Sequence, residues 1–94
     1  MKKAVIVDFK DKSVYVNIGN NRNIPVSGIV GVFDMDNSTQ SPEMKKWLVD
    51  LQNRGQIINV AESLPKSIIY YDDGVRESVY FSPFSSSVIL KRIK

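Results

Sequence analysis

The stretch SIIYYDDGVRESVYFS, residues 67–82, limits the folds open to this chain more than any other. Two runs rich in Ile, Val, Tyr and Phe flank Asp73-Gly74, a pair that suits a tight reversal, so the segment reads as a β-hairpin. In its first arm Ile68 and Tyr70 point to one side, Ile69 and Tyr71 to the other. A strand that is apolar on both faces has to be covered on both faces. One clear helix covers one face. The other is expected to lie under a second subunit, which makes Ile68, Ile69, Tyr70 and Tyr71 the expected oligomer contact.

That helix is SPEMKKWLVDLQNR, residues 41–54. Ser41 is a good N-cap, Pro42 fits the first helical position and Glu43 faces the positive end of the dipole. Met44, Trp47, Leu48 and Leu51 recur at i, i+3, i+4 and i+7, a single buried stripe. Arg54 favours the C-terminal end, and Gly55 follows as a left-handed stop.

Upstream, Val14, Val16 and Ile18 alternate with Tyr15 and Asn17, a strand of period two. GNNRN is a turn, and NIPVSGIVGVF reads as the return strand of a second hairpin, with Pro25 at a sheet edge or a bulge. Gly28 and Gly31 inside that return strand mark a bulge or a close approach of backbone. QIINVAE is an extended segment, SLPKS a turn, and Ser85 to Ser87 precede a possible short C-terminal helix from Val88 to Lys94. The expected fold is α+β: a small, twisted, mostly antiparallel sheet with one amphipathic helix. Residues 1–13 form an extension or tail strand (Val5 to Phe9), and residues 14–94 a single domain, as suits a chain of 94 residues.

Composition removes several chemistries. There is neither histidine nor cysteine, which takes away the commonest general base, thiolates, disulfides and the usual zinc ligands. DMDNS, from Asp34, has the outline of a phosphotransfer aspartate motif, but the chain lacks the length and the βαβ alternation that such a site needs. As a calcium loop starting at Asp34 it fails too, with Thr39 where Gly is required and Lys45 where Glu is required. Asp, Asn, Ser and Thr here read as the loop between a strand and a helix cap. GIVG matches a KH-type GXXG only by chance, because its flanks are strand-like and its interior is Ile29-Val30. Ser85, Ser86 and Ser87 have no base to activate them. No cofactor, metal or enzymatic activity is expected. MKKAVIVDF begins as a signal peptide does, but Asp8 and Lys10 interrupt it. No run spans a bilayer, so the chain reads as soluble, cytoplasmic and independent of membranes.

The net charge is +3, of which +2 falls in residues 1–12. That is a slight footprint for a nucleic-acid binder, whose affinity scales with neutralised phosphates. Lys66, in a tight turn after Pro65, is well placed for a phosphate contact, with Arg22, Arg76, Lys91 and Arg92 as further candidates. Tyr70, Tyr71, Tyr80, Phe81 and Phe84 offer either a stacking platform for bases or ordinary cross-strand packing.

The blocks VNIGNNRNIPVSGIVGVFD, SPEMKKWL, LPKSII and VYFSPFSSSVILKR, in this order and spacing, resemble the RemA/RemB family of small bacterial regulators of extracellular-matrix and biofilm genes, and within it the RemB (YaaB-like) branch. The resemblance covers most of residues 14–92. It implies a DNA-binding transcription regulator built of dimers that assemble into closed rings, with double-stranded DNA held on basic residues repeated around the ring. In the RemA branch these lie just before the apolar strand and in the turn after the helix. Here the first place holds Ser27 and Gly28, and the second holds Leu64, Pro65 and Lys66, one basic residue where that branch has several. The leading expectation is an oligomeric regulator that binds duplex DNA weakly. A protein-interaction or scaffold module without a nucleic-acid role is the alternative.

Overall fold

The computed structural model describes residues 14–35 and 41–93. The tail strand expected in residues 1–13, most of the DMDNST segment and Lys94 lie outside the described residues. Strands β1 (Tyr15–Asn17) and β2 (Asn23–Pro25) form a small antiparallel hairpin with Val16 opposite Ile24. Its turn is made as the Gly-Asn composition requires. Gly19, Asn20 and Asn21 all adopt positive φ, and the Asn17 carboxamide oxygen accepts the Gly19 N–H at 2.9 Å.

The return strand does not continue as expected. Pro25 ends β2, one turn of 3-10 helix follows over Val26–Gly28, and β3 (Ile29–Asp34) then joins a different sheet. One cause is local and one is not. Pro25 offers no N–H to a ladder, and Gly28 lies so close to the Tyr71 ring that a β-carbon would come within 2.2 Å of it. Only glycine lets the backbone cross there. The second glycine marks the expected bulge: the register slips between Ile29, opposite Tyr71, and Gly31, opposite Tyr70.

The main sheet has the order β3, β5 (Ser67–Asp72), β6 (Glu77–Ser82), β4 (Ile57–Asn59). Three strands run antiparallel, and β4 lies parallel to β6, giving the mixed α+β fold. Helix α1 (Pro42–Asn53) starts as the sequence dictates, with the Ser41 hydroxyl accepting the Met44 N–H at 3.0 Å. It sets Leu51 against Ile68 and Val79, flanked by Trp47, Leu48, Tyr70 and Phe81. Helix α2 (Ser86–Ile93) starts two residues before the expected Val88.

The opposite face of the sheet needs no second subunit. Ile69, Tyr71 and Tyr80 are covered from within the chain by Val16, Ile18 and Ile24 of the first hairpin, by Val26 of the 3-10 turn and by Ile89 of α2. Ile68 and Ile69 are fully buried and Tyr71 nearly so, while Tyr70 is half-buried, its ring edge-on to Trp47. The premise that made Ile68 to Tyr71 an oligomer contact is therefore corrected. The short C-terminal helix and the β1–β2 hairpin, too weak in sequence to count as a layer, together form the missing cover. Among the described residues no helix is long and apolar enough to cross a membrane.

Candidate nucleic-acid interface

The basic residues divide between the two ends of the β5–β6 hairpin. At its open end the backbone of Lys66 donates to the Ser82 carbonyl at 2.8 Å. The buried Ser82 hydroxyl donates to the Ile18 carbonyl at 2.6 Å and accepts the Phe84 N–H at 3.0 Å. Ile18 in turn donates to the Arg22 carbonyl at 2.9 Å. A short relay of bonds thus draws the SLPKS turn, the β1–β2 turn and the start of α2 together around Ser82–Phe84. Ser67 strengthens it by donating its hydroxyl to the Phe84 carbonyl at 2.8 Å.

Three cations stand on this frame. Arg22 lies over the Tyr80 ring, 5.5 Å from the centroid. Arg92 lies over Phe84 at 4.5 Å and donates to the Asn17 carbonyl at 3.0 Å. Stacking on a ring restrains a guanidinium while leaving N–H groups for an anion. Lys66 is exposed in its turn. Lys91, also exposed, precedes Arg92 on α2 and makes no contact that ties it to this frame among the described residues. Two acids share this end. Asp34 accepts the Ser86 hydroxyl, and Glu62 is exposed in the chain leading to Lys66. Among the described residues here, Arg22, Lys66 and Arg92 outnumber these two acids.

Arg76 belongs to the other end. Strand lengths of six residues put it about 20 Å from Lys66. It sits in the tight turn with Asp72, Asp73 and Glu77. Asp73 accepts the Val75 and Arg76 N–H groups at 2.9 Å each, and Tyr71 donates its hydroxyl to it at 3.2 Å. These bonds, the Arg76 N–H first, hold the Asp73 carboxyl below its ordinary range. Nearby, the Tyr70 hydroxyl donates to Glu77, and this bond pushes its pKa up to about 12. Arg54 joins Glu77 at 3.7 Å to Asp50 at 2.8 Å. This end is acidic and internally bonded.

Of the aromatic residues, Tyr71 and Tyr80 are buried, edge to face at 6.1 Å, and Phe84 is taken up by Arg92. Their faces serve packing and cation support; they do not form an open stacking platform. No group of three or more His, Cys, Asp or Glu side chains is placed to hold a metal among the described residues. The sequence marked Lys66, Arg22, Lys91 and Arg92 but missed their supports Ser82, Phe84 and Asn17. The one available signal was aromatic residues close to arginines in the chain.

No protein-family model matches the chain. A curated protein, Extracellular matrix regulatory protein B of Bacillus subtilis (strain 168), is 28% identical over 79 residues, which cover 84% of this chain and 89% of that protein. The likeness covers most of both lengths, so the chain is a distant relative of a protein named for extracellular-matrix regulation.

Proposed function

We propose that this protein is a non-enzymatic, cytoplasmic, oligomeric regulator of extracellular-matrix genes that holds duplex DNA by its phosphates through Arg22, Lys66 and Arg92, with Lys91 beside them. The observation that carries the reading is the gathering of cations from three remote parts of the chain around Ser82–Phe84. The distant relative's name supports the regulatory context. Guanidinium and ammonium groups in turns and at a helix end suit phosphates, so binding is largely non-specific and rests on counterion release. One protomer offers few contacts. Linked protomers repeat them, and effective concentration multiplies the result.

Fluorescence anisotropy with random-sequence duplex DNA over a salt series tests this. Affinity should fall with salt by a log–log slope of about −0.9 for each phosphate neutralised. Lys66→Glu should shrink that slope and weaken binding at least tenfold while light scattering shows the assembly intact. No anisotropy change for the wild type at low salt would favour a protein-interaction module instead.

A further inference from the structure

We propose that the cleft between the β1–β2 hairpin and the turn end of β5–β6 receives an arginine side chain of a protein partner, held between the Tyr15 ring and the carboxylates of Asp72 and Asp73. The cleft has a volume of about 590 Å³. The first hairpin contributes Tyr15 and Pro25 to its lining, and the second contributes Tyr71, Asp72, Asp73 and Val75. The DNA reading gives this end of the molecule no role.

Charge complementarity selects a cation as the occupant. Two carboxylates line the cleft, and no Lys or Arg does. Asp73 uses its oxygens on the Val75 and Arg76 N–H groups and the Tyr71 hydroxyl, so it supplies negative field more than a free acceptor. Asp72 differs. One of its oxygens caps the Gly74 N–H at 2.9 Å, and the other accepts no bond among the described residues. That second oxygen is the acceptor left for a ligand. Arg76 is exposed in the same turn but is not part of the lining.

The apolar lining selects arginine over a bare metal ion or a small amine. Tyr15 is 56% exposed and Val75 92%. An occupant with its own apolar stem covers such surface, and a hydrated ion does not. No group of three or more acidic side chains is gathered here for a metal among the described residues. A guanidinium is planar and weakly hydrated. It stacks on an aromatic face while its N–H groups reach a carboxylate. Here the ring of Tyr15 takes the face, Asp72 takes the N–H groups, and the methylene stem lies against Pro25 and Val75.

Heteronuclear NMR of the full chain tests the proposal with an end-blocked alanine peptide carrying one central arginine. The amides of Tyr15 and of Asp72 to Val75 should shift saturably, with a dissociation constant in the millimolar range at low salt. The same peptide with citrulline, an uncharged isostere, should shift none of them. Tyr15→Ser removes the ring at an exposed position. Asp72→Asn removes the charge while its side-chain oxygen still caps Gly74. Each should weaken peptide binding roughly threefold or more with the rest of the spectrum unchanged. Both variants should keep DNA affinity within about twofold, and Lys66→Glu should keep the peptide, so this reading and the DNA reading fail separately. Three results would overturn the proposal: no saturable shift up to about 20 mM peptide, equal binding of the citrulline peptide, or the same amides shifting with protein concentration alone, which makes a second copy the occupant.

Discussion

The two ends of the β5–β6 hairpin contrast in how they are held. The turn end is closed by its own residues: Asp72 and Asp73 cap the N–H groups of Gly74, Val75 and Arg76, all within a few positions. The open end is held by bonds across the fold, of which Ser82 to Ile18 spans 64 positions. One end is a local device and ends up acidic. The other is a junction of three chain segments, and it is where the cations meet. Like charges in a sequence acquire different roles from the company that the fold gives them.

A pair of glycines breaks this contrast most sharply. Gly19 and Gly74 both have positive φ, +125° and +89°. A β-carbon on Gly74 would meet nothing within 4 Å, whereas one on Gly19 would come within 2.5 Å of Pro83. Gly74→Ala should cost about 1 kcal/mol of backbone strain. Gly19→Ala should add overpacking against the junction, for a total of roughly 3 kcal/mol or more. In thermal denaturation these correspond to about 5 °C and at least about 15 °C. Equal shifts would show that the open end is no tighter than the turn.

Charge reversal at each end sharpens the comparison next. Arg92→Glu should lower DNA affinity roughly tenfold, since it exchanges a favourable phosphate contact for a repulsive one. Arg76→Glu changes net charge by the same amount at the acidic end and should leave affinity within about twofold. Matching losses in an anisotropy titration would mean that net charge, not place, governs binding.

The smallest effect concerns protons. Tyr70 titrates near 12 in the folded chain because Glu77 accepts its hydroxyl. Its folded pKa lies above the unfolded value, so its contribution to stability is complete below about pH 10 and fades as pH rises toward 12. Ultraviolet titration of the phenols should show Tyr70 late, with Tyr71 also raised, by burial first, and Glu77→Gln should bring only the Tyr70 transition back toward 10. An unchanged titration curve in Glu77→Gln would remove the hydrogen bond as the cause.

Much of this chain is legible in one dimension. The β5–β6 hairpin, the cap and stripe of α1 and the β1–β2 turn all follow from residues within one or two turns of each other, where periodicity, capping and positive φ act. The candidate cations were legible too, as exposed charges in turns and at a helix end. The sequence alone could not separate Arg76 from Arg22, Lys66 and Arg92, nor split IPVSGIVGVF between two sheets, nor find the second cover for Ile69 and Tyr71. Each depends on a contact between remote residues: Gly28 against Tyr71, Ser82 to Ile18, Ile89 in the core beside Val16. Local pattern fixes which face of an element is apolar, but what lies against that face is settled only when the whole chain competes for the same buried space, and here the tertiary structure decided it.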